Sequence, residues 1–389
     1  MRALCWVAAG ELAVREVPDP ELRNERDVIV RVRRSATAGG DLPLLAGRHP
    51  LLRPGDVLGA EFLGEVVEAG PGVRRHRAGD RVVVGASVAC GGCWYCRQGL
   101  HSCCDNAHAD LPSADPDWFR SDPDWVRSDA GCFGRPRAAG GFAGGHAEYV
   151  RVPYADVSAF RVPDAVDDVG AVFAADVAPT GWLAAELGAV RNGDVVAVWG
   201  AGAVGQVTAR AAVLRGAARV LVVDRHEERL RMAERHSDAE PLDYRRTDVA
   251  AELRDRSGGR GPDVCVVAVG TPPARSRADR FGGQHADRPD ALREAVHACR
   301  KSGVVVVLGG TGGFVDAFPL GALTERRLTL RGAGRPDLRD VPMLLDRMAR
   351  GELRTEHLAT HRLPLAQGPE GYALFRDRAD GCVRAVFTP

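Results

Sequence analysis

Five of the ten cysteines fall between positions 90 and 104. Cys90-x2-Cys93-x2-Cys96-x7-Cys104 offers four thiols in a short stretch, and Gly91 and Gly92 let the chain turn tightly around one centre. Four thiolates satisfy a tetrahedral zinc ion and leave no open position for water, so the ion such a cluster holds is structural. Cys103 adjoins Cys104 and competes as the fourth ligand. A redox or iron–sulfur cluster is the second chemistry open to these thiols. A disulfide framework would spread its cysteines along the chain, and this crowding points instead to metal in a reducing, cytoplasmic setting.

The other chemical signature is Gly200-Ala201-Gly202-Ala203-Val204-Gly205. The pattern alone is weak, because the chain holds 46 glycines. Its context strengthens it. An apolar run, Val195–Trp199, precedes it, an Ala/Val-rich helix over Ala203–Leu214 follows, and a second apolar run ends in Asp224. Gly200 permits the tight turn, Gly202 lets a pyrophosphate approach the backbone, and Gly205 lets helix and strand pack closely. Asp224 lies about 20 residues on, where a carboxylate accepts from ribose hydroxyls and repels a 2′-phosphate. This predicts NAD rather than NADP, with Arg225 as the complication, since arginine can pair with that phosphate.

The elements that would carry these groups fall into two classes. Residues 1–160 read as short strands punctuated by Gly and Pro: Val28–Arg33, Phe62–Glu68 and Arg81–Val84. From Val195 the period changes. Strands at Val195–Trp199, Arg219–Val223, Val264–Val269 and Gly303–Leu308 alternate with helices at Ala203–Leu214, His226–His236 and Ala291–Lys301, and Leu328–Arg331 closes the set. Short buried strands alternating with helices make a parallel, doubly wound α/β sheet. The tail adds a helix at Val341–Arg350 and a strand at Val383–Phe387. Asp115–Ser121 is nearly repeated by Asp122–Ser128, which reads as a duplicated surface loop, or as a lid or interface segment anchored by Trp118 and Trp125.

Composition limits what this chain can do. Its 389 residues allow two or three domains, and 45% hydrophobic content excludes disorder as its general state. Lys+Arg 52 against Asp+Glu 52 gives no electrostatic case for nucleic acid or an anionic membrane. Nearly all the positive charge is arginine, so a Schiff-base mechanism would depend on Lys301, the only lysine. No apolar run reaches the ~18–20 residues of a membrane span, and Glu11, Arg15 and Glu16 interrupt any leader.

In this order, the two sites resemble the zinc-containing medium-chain dehydrogenase/reductase family, across essentially the whole chain. Gly79-Asp80-Arg81-Val82, the cysteine lobe, the stretch from Gly140 to Val150 and Pro179-Thr180-Gly181 all fit. The long segment between Cys104 and Gly140 is similar to the branch of glutathione-independent formaldehyde dehydrogenases. The resemblance implies a GroES-like β-rich catalytic domain over 1–176 and 331–389, carrying the zinc lobe at about 90–104. It also implies a Rossmann NAD-binding domain over 177–330, a small-molecule substrate, and a homodimer or homotetramer. It further implies that Thr180 packs against nicotinamide and that Arg384 lies near the pyrophosphate or at the surface.

One departure stands out. Family members carry Cys-Gly-Ser-Asp-x-His where this chain has Ala38-Gly39-Gly40-Asp41-Leu42-Pro43, and Gly-His-Glu where it has Gly59-Ala60-Glu61. By resemblance, two catalytic-zinc ligands are alanine (Ala38 and Ala60), and the relay hydroxyl and histidine are Gly40 and Pro43. Asp176 matches the third ligand, and Glu61 a nearby glutamate. The expectation is an NAD-dependent oxidoreductase of specialised metabolism with structural but no catalytic zinc. Asp176 and Glu61 would act as acid and base, and His49 is a further candidate, with His146 and Tyr149 behind it. Imines, enones and quinones, or a transient oxidation and re-reduction, suit hydride chemistry without a Lewis acid. A non-redox lyase or cyclase, or a non-catalytic NAD-binding protein, are the alternatives.

Overall fold

The computed structural model describes residues 1–107, 131–270, 280–281, 284–285, 290–308 and 317–389. The duplicated stretch at 115–128, with Trp118 and Trp125, lies outside them. The chain divides into two compact units, Met1–Pro179 with Arg335–Pro389, and Thr180–Gly334.

The first unit is β-rich, as its short apolar runs require. A hairpin of β1 (Arg2–Ala8) and β2 (Glu11–Glu16) stands apart from the main sheet. That sheet contains β3 (Val28–Ala36), β4 (Glu61–Ala69), β5 (Arg81–Val84), β6 (Tyr149–Val152) and β7 (Ala159–Arg161). Alternation buries Val28, Val30 and Val32 of β3 with Phe62 and Val66 of β4 and Val82 and Val84 of β5 in one core. The sheet is finished by residues from the far end of the chain, described below.

The second unit holds the strand–helix alternation. β8 (Val195–Trp199), β9 (Arg219–Asp224), β10 (Glu240–Asp243), β11 (Val264–Val267), β14 (Val304–Val307) and β15 (Thr329–Gly332) form one six-stranded sheet. A two-strand pair, β12 (Arg280–Phe281) with β13 (Gln284–His285), lies off it. The order β10-β9-β8-β11-β14-β15 is parallel at every pairing. The first strand is therefore central and the order reverses beside it, the doubly wound Rossmann arrangement. Ala197, Leu221, Cys265 and Val305 pack with Leu292, Ala295 and Val296 of the helix Asp290–Ala298.

β16 (His361–Pro364) pairs in parallel with β17 (Ala385–Thr388), and β17 lies antiparallel to β3. The tail thereby joins the first unit's main sheet, and the tail strand begins two residues later than its apolar pattern predicts. Among the described residues no helix is long and apolar enough to cross a membrane.

Candidate functional site

The cysteine lobe is assembled by a short helical turn, Trp94–Arg97, and a 3₁₀ turn, His101–Cys103. Gly91 sits in the left-handed region at φ +75°, where its turn requires glycine. The ligand atoms of Cys90, Cys93, Cys96 and Cys104 all lie within 4.8 Å of one another. Cys90 Sγ is 4.0 Å from Cys96 Sγ, and Cys93 Sγ is 3.9 Å from Cys104 Sγ. Zinc–sulfur bonds of ~2.3 Å in a tetrahedron place sulfurs ~3.8 Å apart, so the cage fits zinc. Backbone N–H groups of Gly92 and Cys93 and the Asn106 amide donate to Cys90 Sγ. Despite the cost of burial, these donors bring the Cys90 thiol down to about 6, as a ligand thiolate needs. Cys103 is exposed, and the sulfur that joins the cage belongs to Cys104.

In the second unit, the glycine turn follows β8 at the point where strand order reverses. Gly200 has φ +104°, and a Cβ on Gly205 would lie 1.8 Å from Gly200 O. Both are glycine for the protein's own sake. Gly202 differs. Its φ is −71°, and a Cβ there would meet only Arg229 Nη1, at 4.0 Å. Nothing in the described chain demands glycine there, whereas a phosphate approaching the N-terminus of Ala203–Leu214 would. Ala203 and Val204 open that helix. Asp224 braces the turn, accepting from Ala201 N at 2.7 Å and from Arg225 N at 2.6 Å and His226 N at 3.0 Å. Thr180 lies in the helix Val177–Leu187, and a Cβ on the adjacent Gly181 would press on Val207 at 2.6 Å. The residues present thus fit a dinucleotide.

The altered stretch of the first unit does not fit a catalytic zinc. Ala38 and Ala60 are both buried, and Ala60 packs with Ala86 and Cys132. Methyl groups donate nothing to a metal. Among the described residues, the four cysteines are the only group of three or more His, Cys, Asp or Glu side chains that converges on one point. Asp176 follows the 3₁₀ turn Val172–Ala175 and is half-buried. Glu61 opens β4 and is fully buried. Arg384 Nη2 stands 3.4 Å from Glu61 Oε1, and the Val177 N–H faces the same carboxyl. Burial drives the Glu61 carboxyl well above the ordinary range. Arg384 opposes this, while Asp176 and Asp41 add to it. Arg384 is itself buried beneath Phe375, so it is not the surface arginine that was one expectation.

His49 is buried in a local turn, its Nδ1 accepting from Leu51 N at 3.2 Å. Tyr149 is a half-buried residue of β6. His146 is the centre of a buried chain that the sequence did not disclose. Its Nε2 lies 2.9 Å from Tyr372 Oη, and that hydroxyl donates to Asp41 Oδ2 at 2.7 Å. The tyrosine oxygen must then accept from Nε2–H, which leaves Nδ1 to accept from Ser35 Oγ at 2.8 Å. Burial lowers His146 to about 3, so the ring is neutral. A Cβ on Gly59 would lie 2.6 Å from this imidazole. The sequence offered His146 as a lesser candidate and Asp41 within the family-like stretch, but nothing that joined them.

Comparison with known proteins agrees with this architecture. Residues 24–164 match the alcohol dehydrogenase GroES-like domain, and residues 203–281 match zinc-binding dehydrogenase. An uncharacterized zinc-type alcohol dehydrogenase-like protein, AdhB of Bacillus subtilis, is 30% identical over 394 residues, covering 100% of both chains. A probable zinc-binding alcohol dehydrogenase of Mycobacterium tuberculosis is 32% identical, covering 100% of this chain and 89% of its own. The solved alcohol dehydrogenase TADH from Thermus sp. ATN1 superposes with a TM-score of 0.84 at 30% identity, over 100% of this chain and 99% of its own.

Proposed function

Because the chain belongs to the zinc-type, medium-chain alcohol dehydrogenase family, we propose that it is an NAD-dependent oxidoreductase that works without a catalytic zinc. The observation that carries this reading is the pair of buried methyls, Ala38 and Ala60, at the positions where the family resemblance puts ligands. NAD, when bound, accepts or supplies the hydride. Gly202 leaves room for its pyrophosphate, and Asp224 favours an unphosphorylated ribose.

A zinc ion would stabilise negative charge on the substrate oxygen. Here that task falls to protein groups. Burial and the neighbouring acids push the Glu61 carboxyl well above its ordinary range, which suits Glu61 and Asp176 to moving a proton. Such a site suits substrates that need less activation: imines, conjugated enones and quinones, or alcohols oxidised and re-reduced in one visit. Likeness to the formaldehyde dismutase of Pseudomonas putida, 35% identical over 281 residues, supports placing the chain beside the formaldehyde dehydrogenase-like branch.

The test is zinc stoichiometry of the purified chain together with turnover of an alcohol, imine and enone panel with NAD or NADH. One zinc per chain and chelator-resistant turnover of an imine or enone are expected. A second zinc, or alcohol oxidation abolished by chelator, overturns the reading. Turnover with no change in bound cofactor would instead favour the lyase or cyclase.

A further inference from the structure

His146 reaches both stretches in which the ligand-type side chains are missing. Its N–H donates to Leu58 O at 3.0 Å, and Gly145 N donates to Gly59 O at 2.7 Å. Gly59 has φ +101°, and a Cβ there would lie 2.8 Å from His146 N. The backbone that carries the imidazole is therefore laid directly against Gly59. The ring reaches the other stretch through the buried chain. Tyr372, from the helix Gly368–Asp377, joins His146 Nε2 to Asp41 Oδ2, and the same oxygen accepts from Ala38 N at 2.8 Å. Ser35, His146, Tyr372 and Asp41 are all buried. Phe387 meets the imidazole edge-on at 5.1 Å between ring centres and stacks with Tyr372 at 6.1 Å.

The chain has a direction. A carboxylate only accepts, a phenol has one proton, and a neutral imidazole donates from one nitrogen and accepts at the other. With the tyrosine proton on Asp41, Nε2–H points to Tyr372 and Ser35 donates to Nδ1. Burial keeps the ring from gaining a second proton and escaping this rule. Each bond polarises the next, so the group at position 41 is felt at a ring two hydrogen bonds away. Packing alone would fix where the imidazole lies, not which nitrogen carries its proton.

We propose that His146 is a positioning residue of the altered site: it holds Ala38–Asp41 and Gly59-Ala60 together, and the acceptor at position 41 sets its tautomer. The proposal rests on the reading above that these stretches carry the reaction. The imidazole touches no substrate; it acts through Tyr372 and Asp41 on one side and through Gly59 on the other.

The zinc-loaded full chain is labelled with ¹⁵N in its histidine rings, and the His146 signals are identified by their loss in His146→Leu. In the unaltered chain the ring carries its proton on Nε2. Asp41→Asn keeps it there, because an amide oxygen still accepts from both Ala38 N and Tyr372. Asp41→Leu moves it to Nδ1, because the freed phenol then donates to Nε2 and Ser35 accepts. Amide hydrogen exchange is the second readout. His146→Leu speeds exchange at Ala38 and Gly145 about tenfold, roughly what one hydrogen bond is worth, and leaves the amides of β5 unchanged. His146→Gln, which again offers a donor and an acceptor, restores the Ala38 rate. If Asp41→Leu fails to fold, the exchange rates of the two His146 variants carry the test. A proton that stays on Nε2 in Asp41→Leu overturns the proposal, as does exchange at Ala38 that is unchanged in His146→Leu or that quickens equally in β5. Failure of the zinc-free reading shows separately, as a second zinc per chain.

Discussion

The cysteine lobe and the stretch around Ala38 and Ala60 belong to the same unit, and they have been treated oppositely. In the lobe four donors converge, and backbone N–H groups are aimed at the sulfurs. In the other stretch Ala38 and Ala60 present only methyls, while Asp41 Oδ2 accepts from Ala38 N and His146 packs against Gly59. Both stretches are held by hydrogen bonds, and they differ in which one presents ligand atoms to a single centre.

The largest effect should come from the lobe. Cys93→Ser, or stripping with a strong chelator, removes a structural ion whose binding is linked to folding. A loss of several kcal/mol is expected, of order 3–5 or more, with one zinc lost per chain; thermal unfolding and metal analysis check it. Next, Gly205→Ala forces a Cβ into Gly200 O and should cost about 2–4 kcal/mol by denaturant unfolding. Gly202→Ala should change stability by less than about 0.5 kcal/mol and weaken NAD binding, because the space it fills belongs to the ligand. Equal effects of the two glycine variants would refute that division of roles.

Ala60→His tests the other side of the contrast. The imidazole must enter a packed cluster with Ala86 and Cys132, so the metal-free variant should lose about 1–3 kcal/mol. An Ala38→Cys, Ala60→His double variant that gained a second zinc would show how little besides ligands had been changed.

Two of the buried ionisable groups, His146 and Glu61, give opposite pH dependence. His146 titrates near 6.5 when unfolded and about 3 when folded. The stability it contributes is full above pH 6.5 and falls, as acid is added towards pH 3, by about 1.4 kcal/mol per pH unit. Glu61 is raised, so its contribution is full below the unfolded glutamate value of 4.5 and is lost as pH climbs towards its raised folded value. Glu61→Gln should flatten the alkaline side of the stability profile and His146→Gln the acid side, read by unfolding at a series of pH values.

Regular β-branched runs made much of the fold legible: β5, β8 and the helix Ala203–Leu214 lie where their patterns put them. The hairpin of β1 and β2 was hidden by Glu11, Arg15 and Glu16, which sit on its exposed positions. β10 was hidden by Pro241, tolerated because the strand is at the sheet edge. The chemistry was legible where ligands are close in sequence, as in the lobe and the glycine turn. It was illegible where partners lie far apart: Tyr372 with Asp41, Arg384 with Glu61, Arg135 with Gly40. No local pattern encodes those pairings, which only the folded sheet creates.

The tail's place in the first unit bears on how the protein is made. Ala385 N bonds to Thr37 Oγ1, Tyr372 holds Asp41, and β17 lies beside β3. On the ribosome, residues 180–334 emerge as one continuous segment, the whole of the second unit. The stretch around Asp41, although translated among the first, must wait for nearly the last residues before its geometry is set. A ribosome stalled before Tyr372 would therefore carry a nascent chain in which Asp41 still lacks its tyrosine partner.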